Sequence, residues 1–196
     1  MASPAPARIP TLHPDDWIRA AQTRLSAQGI ESVRVEVLAR DLAVSKGSFY
    51  WHFRDRNDLL EKLLVRWEDS ELDWLKAAAA TGAAMQWANF IEKTSDPEGM
   101  RMEVALRAWA RRDERVAARV AAIEKRKARL IVDVLREVGF TQAAAASGSE
   151  LVLLICLGWL DRGTRDRQAQ PLGSDLSELL SDFLLSASAR SQAPDR

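Results

Sequence analysis

The stretch 38–53 constrains this chain more than any other, because within it an apolar helical period stops, the chain turns in about four residues, and the period restarts. Leu38 and Leu42 stand one helical turn apart and face inward. Val44 plugs the turn, and Phe49 and Phe53, again one turn apart, anchor the second helix from beneath. Ser45 is placed to cap that helix, its hydroxyl accepting a backbone N–H that the first turn leaves unpaired. What faces outward is then Lys46, Gly47, Ser48, Tyr50, Trp51 and His52. A cation, hydroxyls, aromatics and a glycine that admits close approach suit phosphates and base edges in a DNA major groove. Two helices that merely pack in a bundle have no reason to gather such groups on one exposed face.

The same residues carry a family likeness. The run Val44-Ser45-Lys46-Gly47-Ser48-Phe49-Tyr50-Trp51-His52-Phe53, followed by Asp55-Arg56 and Leu59-Leu60, resembles the DNA-binding domain of tetracycline-repressor-type (TetR family) regulators. The resemblance implies an all-α protein: an N-terminal three-helix helix-turn-helix domain that reads a double-stranded operator, then a C-terminal helical domain that binds an effector and forms a homodimer. It also implies roles. Lys46 and Gly47 face base edges, Tyr50 meets an edge or a phosphate, and Ser48, Trp51, His52 and Arg56 position the backbone, with Arg34 and Ser45 completing the DNA-contacting set. Two departures stand out. The family usually has glycine in the turn, where this chain has Ala43, and a Ser/Thr cap opening the first helix of the motif, where it has Arg34-Val35. Ala43 is strained if the turn demands a positive φ, and Ser32 is the candidate replacement cap.

Charge and cysteine usage narrow the classes. With 28 basic and 28 acidic residues the net charge is zero, so electrostatic attraction to nucleic acid has to be local. Up to Arg66 there are ten basic residues against eight acidic ones, a small excess, and the geometry of the motif outweighs it. A lone cysteine, Cys156, excludes an internal disulfide and every multi-cysteine metal site, and points to a reducing, cytoplasmic setting. The N-terminus lacks the apolar core of a signal peptide, and no run is read as approaching the roughly 20 apolar residues of a membrane span.

Along the chain, residues 1–14 are rich in proline and alanine and read as a disordered tail, in which Arg8 can touch a groove or a phosphate. The reading domain covers 15–60, its first helix burying Trp17, Ile18, Ala21 and Leu25 and stopping at Gly29. Its motif helix is expected near 34–42, and 54–57 reads as a turn. An effector and dimerisation domain covers 61–189, and 190–196 is a second tail. A helix over 58–75 links the two domains, and 77–84 is open between a frayed helix end and a loop. Further helices are expected over 85–94, 100–111 and 115–138, the last stopping at Gly139, and over 174–188. The basic run Lys125, Arg126, Lys127 and Arg129 reads as a solvated face. Residues 151–157 are apolar on every side of a helix, which must be covered all round. That helix and the one over 115–138 are the expected dimer elements, with Gly148 and Gly158 allowing close approach.

An enzyme lacks its constellation here: the two histidines, His13 and His52, leave no base for Cys156 or a serine, and no catalytic, cofactor or metal-binding pattern is visible. Cys156 reads as a small core residue. For the effector, Leu72, Trp87, Phe90, Ile91, Met102, Leu106 and Trp109 offer walls suited to an apolar or aromatic small molecule. Glu103 and Arg107 are candidates to orient it, though a surface role is the plainer reading of both. The expected function is a DNA-binding transcriptional regulator, a repressor released by such a ligand. The alternative is a helical ligand-binding or protein-interaction module that does not read DNA.

Overall fold

The computed structural model describes residues 12–165, and every regular element among them is a helix. The helix expected over 174–188, the tail 190–196 and Arg8 lie outside the described residues. The chain divides into two units, Met1–Val65 and Arg66–Arg196, each described by itself.

In the first unit, α1 (Pro14–Gln28) opens on a proline whose missing N–H costs nothing at that position. The His13 N–H donates to the Asp16 carboxylate at 2.8 Å, and both acids of the first turn sit at the positive end of the helix dipole. The helix closes at Gly29, whose φ of +77° lies in the left-handed region. A 3₁₀ turn (Ile30–Ser32) leads into α2 (Val35–Asp41), a sharp turn and α3 (Lys46–Tyr50), and α4 (Arg56–Ala79) begins in this unit. Trp17, Leu25, Val33, Leu38, Phe49, Leu59 and Leu63 are fully buried. Each such large side chain contributes about 1.5–3 kcal/mol by leaving water. At the rim of this core Arg24 grips Asp41 in a two-pronged pair, with N···O distances of 2.5 and 2.6 Å, tying α1 to the end of α2.

Ser32 is not the replacement cap. Its hydroxyl donates back to the carbonyls of Gly29 (2.7 Å) and Arg24 (3.0 Å), and Arg34 is the N-cap of α2 with no side-chain hydrogen bond.

In the second unit, α5 (Ala83–Ser95), α6 (Pro97–Ala110), α7 (Glu114–Glu137) and α8 (Gln142–Arg165) follow the end of α4. The open segment 77–84 resolves into the last residues of α4, a turn and the start of α5. Gly82 has no side chain to cap α5, and the acceptor comes from Glu137 at the far end of α7, which takes the Ala83 N–H at 3.2 Å. The break expected at 95–99 is the start of α6 instead. Asp96 caps it, accepting from Glu98 and Gly99 N–H at 3.4 and 2.7 Å, and Pro97 occupies its first position.

Helix α7 is the central element of this unit, packing against α5, α6 and α8. Its stripe Val116, Val120, Ile123, Leu130, Ile131, Val134 and Leu135 is buried within the chain. That apolar face is spent on the unit's own core. Gly148 is spent likewise, since a Cβ there would lie 2.9 Å from Leu135 Cδ1, so its close approach serves the packing of α8 on α7. Helix α8 is not covered all round. Leu151 and Leu154 are 46% and 58% exposed, and Gly158 is exposed beside open space. The stretch Gln142–Leu160 has mean hydropathy 1.7 and is long and apolar enough to cross a membrane by length and composition, which overturns the reading that no run approaches that size.

Candidate nucleic-acid interface

The turn between α2 and α3 is closed by backbone bonds from Leu42, Ala43 and Val44 N–H to the carbonyls of Leu38 (2.9 Å), Arg40 (3.1 Å) and Ala39 (2.9 Å). That geometry puts Ala43 at φ +54°, the left-handed region, where its Cβ is strained. Helix α3 then lies on the aromatic floor of the unit. Phe49 meets Trp17 edge-on with ring centroids 5.3 Å apart and stacks on Phe53 at 5.1 Å.

With Phe49 and Phe53 turned inward, the opposite face of α3 is open. Tyr50 is 61% exposed and Trp51 87%. Ser45, Lys46 and Gly47 are exposed, Ser48 and His52 half-buried, and Arg34 is exposed at the start of α2. Ser45 is the N-cap residue by backbone conformation, yet its side chain makes no capping bond, so its hydroxyl does not play the part the sequence suggested. Lys46 reaches across to α2, its Nζ 2.9 Å from Glu36 Oε1, and this hydrogen bond holds the Glu36 carboxyl below the usual carboxylate range.

Arg56 does not join this face. Its Nε and Nη2 donate to the backbone carbonyls of Val33 (2.5 Å) and Ile30 (2.7 Å), so the guanidinium braces the 3₁₀ turn against α4. Two residues earlier, the Arg54 side chain is 87% exposed, at 3.5 Å from Asp58. The sequence offered no means of choosing between these arginines, because which one turns inward depends on carbonyls more than twenty residues away. Asp55 and Asp58 organise this entrance to α4: Asp55 accepts the Asp58 N–H at 2.8 Å and Asp58 accepts the Arg54 N–H at 3.0 Å. The latter bond, with Arg54 and Lys62 beside it, keeps the Asp58 carboxyl low despite some burial.

In the second unit the expected effector walls fall into two groups. Trp87, Phe90 and Ile91 on α5 join the cluster of Ile131, Leu135, Phe140, Ala145 and Val152, with Trp87 stacked on Phe90 at 5.8 Å. Met102, Leu106 and Trp109 are buried on one face of α6, and Leu72 is half-buried on α4. Helices α5 and α6 pack on each other. Sequence reasoning missed the polar centre of this unit. Lys127, read as part of a solvated basic face, is 12% exposed and lies 2.9 Å from Glu71 and 2.5 Å from Glu103. Lys93 also meets Glu71 at 2.9 Å, and Arg107 pairs with Glu103 and, at 2.7 Å, with Glu124. Glu103 and Arg107 are therefore half-buried ion-pair partners rather than freely exposed residues. Burial alone would push the Glu103 carboxyl up, but Lys127 and Arg107 outweigh it and hold it below the usual range. Burial likewise works against the Lys127 ammonium, and Glu103 and Glu71 raise it above the ordinary lysine value. Burial pushes the Cys156 thiol up to about 11, the behaviour of an unreactive packed cysteine.

Comparison with known proteins bears on this geometry. Residues 18–63 match the family described as bacterial regulatory proteins, tetR family. The HTH-type transcriptional regulator AcrR of Shigella flexneri is 39% identical over 46 residues, which span 24% of this chain and 20% of that relative's length. Among solved structures, a transcriptional regulator from Rhodococcus sp. Rha1 is similar with a TM-score of 0.69 at 17% identity, covering 93% of this chain and 100% of that one. The regulatory protein TetR from Rhodobacter sphaeroides is similar with a TM-score of 0.65 at 18% identity, covering 88% of this chain and 96% of its own. These structural likenesses show a shared all-helical fold.

Proposed function

We propose that this chain, whose residues 18–63 match the tetR family, is a regulator of that family: a sequence-specific DNA-binding transcriptional regulator that acts in the cytoplasm as a homodimer. One observation carries the reading: Tyr50 and Trp51 stand 61% and 87% exposed at the end of α3, beside the fully buried Phe49. A folded domain that leaves two large aromatics in water on the face bearing Lys46 and Gly47 has a partner for that face. A duplex groove supplies apolar thymine methyls, base acceptors and phosphates together.

The exposed stripe of α8, with Leu151, Leu154 and Gly158, supports pairing with a second copy, which gives two α3 helices related by a two-fold axis. Productive docking then requires the two helices to be spaced by about 34 Å or a multiple of one DNA turn. Repression by promoter occupancy and release by a small apolar or aromatic effector complete the proposal. The apolar walls of α5 and α6 support that class of ligand. An effector that favours the spacing unfit for DNA lowers operator affinity by its differential binding, typically about 1–3 kcal/mol.

The test is a titration of duplex DNA at several salt concentrations with the parent and Tyr50→Ala. The reading requires salt-dependent binding by the parent and weaker, less selective binding by the variant. Equal binding by both proteins, or none by the parent, refutes it.

A further inference from the structure

We propose that Glu36 is a specificity-determining positioning residue of the DNA interface: its carboxylate holds the Lys46 ammonium away from the phosphates of unrelated DNA and presents it to a base acceptor at the cognate site. The inference rests on the DNA-reading proposal and adds a residue to it. Glu36 lies on α2 and Lys46 opens α3, so their 2.9 Å pair spans the two helices of the motif at the edge of the reading face.

The pair has little to do with stability. Its side chains are 58% and 59% exposed, and such surface pairs gain almost nothing from each other in water. The bond that ties α2 into the domain is the better-shielded, two-pronged Arg24–Asp41 pair. Glu36 thus adds little to the fold, and its consequence falls on the lysine. An ammonium has three donors and no preferred plane, so Lys46 can keep one N–H on Glu36 and still give another to a guanine O6 or N7.

A phosphate is a different case. Binding to unrelated DNA is dominated by phosphate contacts, and a lysine that follows a phosphate either leaves its carboxylate or brings that carboxylate against a second anion. The same acid is therefore tolerated where Lys46 reads a base and penalised where Lys46 grips the backbone, which is discrimination by an added repulsion.

The test compares the parent, Glu36→Gln, Lys46→Gln and the double variant on an operator duplex recovered by selection and on an unrelated duplex, over a range of salt. Releasing one lysine to one phosphate steepens the slope of log K against log salt by about 0.9, which near 0.1 M salt is roughly three- to tenfold tighter binding. Glu36→Gln is expected to show that gain on unrelated DNA, a smaller gain on the operator, and so a lower specificity ratio. Most of the gain is expected to vanish in the Lys46→Gln background. An unchanged salt slope and ratio, or a gain that persists in full without Lys46, overturns the proposal while leaving DNA reading intact. A parent that binds no duplex overturns both.

Discussion

Phe49 and Tyr50 are neighbours in the chain and opposite in environment, one fully buried and the other 61% exposed. Phe49→Ala is expected to cost about 3–5 kcal/mol of stability, because the Trp17 and Phe53 rings lose their packing partner. Tyr50→Ala and Trp51→Ala are expected to leave the melting temperature unchanged and to weaken operator binding by about 1–3 kcal/mol each. Melting curves and binding isotherms on the same samples separate the two effects, and a Trp51 variant that melts early contradicts the assignment. Arg56→Ala belongs with Phe49: losing two charge-assisted bonds to Ile30 and Val33 should destabilise the domain by about 1.5–3 kcal/mol without altering the salt slope of DNA binding. At Ala43, glycine relieves about 1–2 kcal/mol of left-handed strain and returns about 0.4–1 kcal/mol of unfolded-chain entropy. Ala43→Gly should therefore raise stability modestly in chemical denaturation, and a loss would show that the positive φ carries no strain. This residue was legible beforehand, because the turn length and the missing glycine together announce the strain. The inward turn of Arg56 was not, since its partners are backbone carbonyls fixed only by the fold.

The helices were legible wherever an apolar stripe and a local stop coincide, as in α1 up to Gly29 and α7 before Gly139. They were blurred where the cap is remote: Glu137 caps α5 from 54 residues away, which no local pattern encodes. The run Lys125, Arg126, Lys127 and Arg129 shows the same limit, because one member of an ordinary-looking basic run turns inward to carboxylates on α4 and α6. Removing that member is expensive. Lys127→Met is expected to cost about 3 kcal/mol, the lower end for a broken buried pair, since Lys93 and Arg107 still neutralise part of the charge left on Glu71 and Glu103. The pH dependence follows from the same cluster. Glu103 titrates below its ordinary 4.5, so its contribution is present above that pH and is lost as acid protonates it. Lys127 titrates above its ordinary 10.5, so its contribution is present below that pH and is lost as base removes the proton. Melting temperature should hold between these limits and fall outside both. A parent whose acid limb matches that of a Glu103→Gln variant contradicts the role of the cluster.

At the scale of the whole molecule, the apolar stretch on α8 announced a partner but not which face would meet it. Gly148 is spent on Leu135, while Leu151, Leu154 and Gly158 stay outward, and they form the face proposed above for pairing. Because Leu154 is 58% exposed, Leu154→Asp spares the core and tests association alone. Sedimentation should find the parent as a dimer and the variant as a folded monomer, and a variant that stays dimeric moves the interface elsewhere. The proposed dimerisation would convert one reading helix into a measured pair, and the symmetry of the preferred DNA would record it. Selection of bound duplexes from a random pool reads that symmetry, the specificity of the α3 face and the spacing at once. The account predicts enrichment of a two-fold symmetric site whose half-sites lie about one helical turn, or a multiple of it, apart. A pool that stays random after repeated rounds, with the parent folded and dimeric, would contradict it.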